Sequence, residues 1–460
     1  MARFFAGSGI PVLVLALLAA GVIGGGEIQA QEEPVLTLEE ALTRAREHNP
    51  DYRMARNDLE LSEAGRKEAW GAFLPSLDLS LSTGLSFDRQ LVSTDFFGNP
   101  IENPVTEWLT NSSSSQYVGG SLVLFQGGQR FHQLSAQSAD AEVRAATAAT
   151  RLRAVRAEVV RAYSQAQAQK ALLEVEEGLL DAREADLELT RRMFDLAGAT
   201  RVEVLAAELN VQRQEQQIQQ RLALLQQNLL TLGRVIGDEE LMAFSVSDAL
   251  PEPFDPSYLE AEELLERALA TSPAIQQQRA QVERGRAQTR AAQGSRWPTL
   301  SLNFGFNQRT YAQEEDAFLD PWPDQGRFGS TGFSLSIPLF SRFQNSARIA
   351  EAEVGLNNAQ ENLRKTRLQT EEEVRSRLIA LQTAYQGYRI ALRSREIAQE
   401  RLSLAQDQFR LGSRTFTELQ RDIDDAAGAE REVINQLFGF VEARASLEET
   451  VGPLNGREGS

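Results

Sequence analysis

Phe73-Leu74-Pro75-Ser76-Leu77-Asp78-Leu79-Ser80-Leu81 is the stretch on which the fold turns. Residues 37–73 before it read as helix, dominated by Glu, Ala, Arg and Leu, with Pro50 the only proline. After Pro75 the apolar spacing becomes two. Leu77, Leu79, Leu81, Leu85 and Phe87 alternate with Asp78, Ser80, Ser82, Gly84, Ser86 and Asp88, as in a strand with one apolar face. The junction recurs at Pro298, where Leu300, Leu302, Phe304 and Phe306 alternate with Ser301, Asn303, Gly305 and Asn307. Return strands carry Val118, Leu122 and Leu124 in the first case, and Phe333, Leu335, Ile337 and Leu339 in the second.

Working outward from this junction, the whole chain repeats. Residues 36–81 match 259–304 at an offset of 223, pairing Leu42 with Leu265, Pro50 with Pro273 and Pro75 with Pro298. Residues 118–237 repeat at an offset of 215, pairing Phe125 with Phe340, Thr200 with Thr415 and Gly237 with Gly452. One long internal duplication with a single length change implies one architecture with pseudosymmetry, and the unit is too long for a solenoid.

Between the strands and the next turn, residues 128–196 contain no proline. As one helix they would span about 100 Å at ~1.5 Å per residue. Leu152, Val159, Ala166, Leu173, Leu180, Leu187 and Phe194 recur every seven residues, as do Val204, Val211, Ile218, Leu225 and Leu232 in the returning segment. The duplicate returning segment repeats the stripe at Leu419, Ala426, Val433, Phe440 and Leu447. The long duplicate carries Val374, Leu381, Tyr388, Leu402 and Phe409, interrupted by Arg395, which is expected at a groove or facing water. A seven-residue period predicts supercoiled helical hairpins. Their turns read Phe194-Asp195-Leu196-Ala197-Gly198-Ala199-Thr200 and Phe409-Arg410-Leu411-Gly412-Ser413-Arg414-Thr415, with Gly for a tight helix end and Thr as the next N-cap. Asn49-Pro50 and Ser272-Pro273 predict helix breaks capped by Asn or Ser.

The remaining features exclude more than they assign. Arg3, the apolar run Ile10–Ile23 and Ile28-Gln29-Ala30 predict a cleaved export signal over residues 1–30. A net charge of −18 argues against a nucleic-acid partner. There is no cysteine, and His48 and His132 are far apart, so no metal site, cofactor motif or catalytic constellation is expected. The strands join through long polar segments, near 88–114 and 308–330, with aromatics such as Phe96, Phe97, Trp108, Tyr311 and Trp322. Alternating strands with long polar loops are the plan of an outer-membrane barrel. Four strands cannot close one, because single-chain barrels start at about eight. Several chains must then contribute; three copies would give twelve strands. The competing reading is a periplasmic coiled-coil spacer without transport.

The chain resembles the TolC-type outer-membrane efflux proteins over essentially all of its mature length. The resemblance is carried by Leu36-Thr37-Leu38-Glu39-Glu40-Ala41-Leu42 with Asn49-Pro50, by Phe73-Leu74-Pro75-Ser76-Leu77, by Leu124-Phe125-Gln126-Gly127-Gly128, by Ile337-Pro338-Leu339-Phe340, and by the turn Phe409–Thr415. It implies an α+β membrane protein: a homotrimer with a twelve-stranded barrel in the outer-membrane lipid, continuous with a long α-helical tunnel in the periplasm. The parts expected are repeats over 31–237 and 259–452, an equatorial linker over 238–258 and a tail over 453–460. Such proteins are exit ducts that meet a periplasmic adaptor and an inner-membrane pump, in efflux or type I secretion. The resemblance places Glu203 and Glu418 at the periplasmic constriction and gives Arg414 the role of tying the closed tip. First-turn carboxylates favoured by the helix dipole are the simpler account of both glutamates. The turns Leu196-Ala197-Gly198 and Leu411-Gly412-Ser413 are the expected adaptor contacts. Relatives often add a second acidic residue one turn further on, where this chain has Arg421 beside Asp422.

Overall fold

The computed structural model describes residues 34–94, 97, 99–196, 198–239, 244–247, 250–312 and 326–454. The expected signal, Phe96, Ala197, Trp322 and the end of the tail lie outside them. Among the described residues the helices come in pairs of equal length. These are α1 (Leu38–His48) and α5 (Ala261–Thr271), 11 residues each, and α2 (Pro50–Gly71) and α6 (Pro273–Gly294), 22 each. The hairpins are α3 (Gln129–Asp195) and α7 (Gln344–Arg410), 67 each, with α4 (Arg201–Ile236) and α8 (Phe416–Val451), 36 each.

Local chemistry sets these boundaries. Thr37 and Glu40 form a capping box at the start of α1. At the first break, the Asn49 side chain accepts from the Tyr52 amide at 3.0 Å and donates to the Val235 carbonyl at 2.7 Å. At the second break Ser272 holds the N-cap position, but its side chain makes no capping bond, which corrects half of the sequence expectation. Gly412 adopts a left-handed φ of +71°; Gly198 does not, so only the second turn uses glycine's conformational freedom.

The long helices run on a buried seven-residue stripe. Val159, Ala166 and Leu173 on α3, Val204, Val211, Ile218 and Leu232 on α4, and Leu419 through Leu447 on α8 are buried. Arg395 is half-buried and reaches Glu430 on α8 at 3.3 Å, so the interruption of the stripe is an ion pair. Two hydrophobic cores anchor the hairpins. One gathers Leu36, Val159, Tyr163, Leu232, Ile236 and Val246; the other gathers Leu264, Val374, Leu381, Phe440 and Leu447. The first is closed by a short parallel pair, β1 (Val35–Leu36) with β4 (Ser245–Val246), and by the Tyr163 hydroxyl donating to the Leu36 carbonyl at 2.8 Å.

At the other end, β2 (Asp78–Thr94), β3 (Pro100–Gln126), β5 (Thr299–Ala312) and β6 (Arg327–Ser336) form one antiparallel sheet in that order. Leu79 faces Val118, Val118 faces Phe306, and Leu302 faces Phe333, so the apolar residues share one face across the sheet. A bulge between Val123 and Phe125 sets Phe125, not Leu124, opposite Leu300. The segments expected to be loops are shorter than the sequence implied. β2 and β3 continue as a ladder to Thr94 and Pro100, because Ser, Thr and Asn pair their backbones as well as apolar residues do once a register is set.

Candidate functional site

The two helical turns lie at the end farthest from the sheet, and one small core joins them. Leu179 and Ala207 of the first hairpin pack with Ala405, Phe409, Phe416, Leu419 and Ile423 of the second. Thr200 and Glu203 form a capping box, with the Glu203 carboxylate accepting from the Thr200 amide at 2.7 Å. Thr415 and Glu418 repeat it at 2.9 Å. Glu203 is half-buried and Glu418 exposed, and bonds from Thr415 hold the Glu418 carboxyl below its ordinary range. Within one chain the geometry thus gives both residues a helix-start role.

Arg414 turns inward. It ion-pairs with Asp422 on α8, whose side chain is fully buried, and donates to Gln408 at 3.1 Å. Arg401 on α7 also ion-pairs with Asp422 and reaches Asp425 at 3.0 Å. The carboxylate beside Arg421 is therefore the centre of a clamp within the chain, a role that sequence spacing did not signal. Two further polar layers cross the hairpins above it. Asp186 on α3 accepts from Gln420 on α8, which accepts from Asn210 on α4 at 3.1 Å. Burial pushes the Asp186 carboxyl up to about 6 despite the bond from Gln420. Glu176 on α3 is buried too, but Gln214 at 2.8 Å and Arg431 at 2.9 Å overcome the burial and hold its pKa down.

The lateral edges are the second candidate surface. Among the described residues β2 and β6 each have a strand partner on one side only. On the apolar face Leu77, Leu79, Leu81, Phe333 and Leu335 are between 61% and 72–73% exposed, which no soluble core explains. Near the sheet the helices lie side by side as α2, α3, α6, α7; farther from it the order is α4, α3, α8, α7. The edge helices carry an exposed stripe of their own: Ile390, Ile397 and Leu404 on α7 with Leu411 just past its end, and Val202, Leu209 and Leu230 on α4. Both run at a seven-residue spacing, with Gln216 and Ala223 completing the α4 series. The sequence held this second stripe in plain view, shifted two positions from the buried one on α7.

Where helices give way to strands, aromatic side chains collect. Trp70 lies 5.8 Å from Phe73, Phe73 lies 5.0 Å from Phe131, and Phe340 lies 5.7 Å from Phe343. Trp70, Phe131, Trp297, Phe340 and Phe343 are exposed, as aromatics of a membrane–water girdle are. A profile described as "Outer membrane efflux protein" matches residues 41–238 and 264–452.

The chain belongs to the outer membrane efflux protein family.

Among solved structures it is similar to a membrane protein from Pseudomonas aeruginosa, with a TM-score of 0.73 at 19% identity over 90% of this chain and 93% of that one. VceC of Vibrio cholerae, described as an outer membrane protein, gives 0.70 at 16% identity over 90% and 96%. CusC gives 0.73 at 16% identity over 94% and 95%. No curated protein sequence matches significantly. At these identities the structures speak for the fold, and family membership speaks for the rest. This efflux-family protein resides in the outer membrane, with its helices forming the periplasmic tunnel part, and the family is of a non-enzymatic transport type.

Proposed function

We propose that three copies of this duplicated chain close into one conduit, a twelve-stranded barrel continuous with a twelve-helix tunnel, which serves as the exit duct of a tripartite efflux or type I secretion system. The observation that carries this reading is the match between edges. The sheet ends in β2 and β6, each with one edge open among the described residues, and below it α4 and α7 present largely apolar exposed stripes with seven-residue spacing. A second copy set beside the first satisfies both at once, and an open sheet edge is not tolerated in lipid. Four strands are too few for a barrel, while twelve leave an aqueous bore. A periplasmic spacer has no use for the exposed apolar sheet face.

In this assembly the turns Leu196-Ala197-Gly198 and Leu411-Gly412-Ser413 meet a periplasmic adaptor coupled to an inner-membrane pump. Glu203 and Glu418 from three chains supply six carboxylates to a narrow aqueous ring, with Arg414 set behind it. The linker 238–258 and the tail after Gly452 form an equatorial belt. The test is the mass of the detergent-extracted protein under native conditions. Three chains are expected, dissociating to monomers when Ile397→Glu places charge on the α7 stripe. A stable monomer of the unaltered protein refutes the proposal.

A further inference from the structure

A cleft of about 380 Å³ opens where α3, α6, α7 and α8 meet, at the first turn of α6. Its floor is the N-terminus of a 22-residue helix whose amides the cap does not satisfy. Ser272 at the N-cap is only 7% exposed, lines the cleft, and has no hydrogen bond for its hydroxyl among the described residues. Arg153 lines it from α3. One guanidinium nitrogen of Arg153, Nη2, donates to the Thr271 carbonyl at 3.0 Å, while Nη1 is buried without a partner. No carboxylate among the described residues pairs with Arg153. Burial and the neighbouring Arg267 depress its pKa, as befits a cation short of an anion. The remaining charges of the cleft are accounted for. Arg377 is held by Glu449 at 3.3 Å and by the Thr450 hydroxyl at 2.6 Å, and Glu373 is exposed. Gln278 adds a buried side-chain oxygen, Oε1, with no donor.

The corresponding place in the first half of the chain is neutralised from within. There Asn49 caps the helix, and Arg44, the counterpart of Arg267, pairs with Asp238 at 2.6 Å. In the second half Arg267 has only the Val451 and Gly452 carbonyls, at 3.0 and 3.3 Å.

We propose that this cleft binds phosphate. The Ser272 hydroxyl and the first turn of α6 line the cleft, and Arg153 and Gln278 line it beside them, each with one buried polar atom that has no partner. That set fits a tetrahedral oxyanion with one protonated oxygen. The phosphate is a soluble one, since α6 rises about 33 Å between the cleft and the sheet, far beyond the reach of a lipid headgroup. The site lies within one chain and needs no neighbour.

Equilibrium dialysis of the full-length, detergent-solubilised protein against radiolabelled inorganic phosphate, at fixed ionic strength and pH 7, tests this. Saturable binding of one phosphate per chain is expected, weakened at least tenfold by Arg153→Gln and by Ser272→Asp. Aspartate is a favoured N-cap, so Ser272→Asp keeps the fold while placing a negative charge where the ligand sits. Absence of saturable binding, or binding that survives both substitutions, overturns the proposal.

Discussion

Replacing Asp422 with asparagine should loosen the periplasmic tip without disturbing the rest of the tunnel. The Asp422 side chain is fully buried and ion-paired to Arg401 and Arg414, so asparagine leaves two guanidinium groups facing a neutral amide. Removing one partner of a buried pair costs about 3–5 kcal/mol. Arg401 is half exposed and keeps Asp425 at 3.0 Å, so its share is largely recovered in water. Arg414 is only 24% exposed and retains just the neutral contact to Gln408. The loss should therefore fall near the lower end, about 3 kcal/mol, which is roughly a hundredfold in an opening equilibrium. Hydrogen exchange read by mass spectrometry on the purified protein reports that equilibrium locally. Peptides covering 405–425 should lose roughly a hundredfold in protection, while those covering 232–246 in the first hydrophobic core stay unchanged. Unaltered protection at the tip, or equal loss at both places, would refute the reasoning.

Asp186→Asn should stabilise the protein at pH 7.5 and not at pH 4. The folded pKa of about 6 lies above the ordinary 3.8, so the folded state holds the proton more tightly. Stability then falls as pH rises from about 4 to 6 and stays low above that; asparagine, always neutral, removes a penalty of at most about 3 kcal/mol. Melting curves of both proteins at the two pH values give the comparison. Glu203→Gln combined with Glu418→Gln should lower cation preference in planar-bilayer recordings. Because bonds from Thr415 hold the Glu418 carboxyl below the ordinary carboxylate range, acidification should remove the Glu418 share of that preference only below that range. A substituted channel with unchanged reversal potentials would remove the ring. Gly412→Leu forces a side chain into a left-handed φ, costing about 1–2 kcal/mol, yet nothing lies within 4 Å of the added carbon. Trimers should assemble while export in an adaptor-containing strain fails; normal export would count against docking at this turn.

Period alone made the hairpins and the strand pairs legible, because a buried face must repeat with its element. Val159, Ala166 and Leu173 could be placed from sequence, and the register that aligns Leu79, Val118 and Phe306 follows the alternation. The extension of β2 to Thr94 was not legible: past Phe87 no apolar alternation remains, and backbone pairing leaves no mark on side-chain type. At the tip the capping boxes were readable, since Thr and Glu sit three residues apart. The partner of Arg414 was not, because Asp422 reaches it only when α8 folds back beside α7. The unfilled cap at Ser272 also needed coordinates, for serine is a favoured N-cap and its type alone does not reveal a bond left unmade.

The handover from α2 to α4 bears on calibre. Where α1 and α2 stop, α4 takes the vacant lane, and α8 replaces α6 likewise, so four helices per chain lie abreast on either side of the handover. In the proposed assembly circumference would thereby be conserved along the pipe. Such a bore could not be throttled midway by adding or losing a stave; it would narrow only where the staves bend together, at its ends.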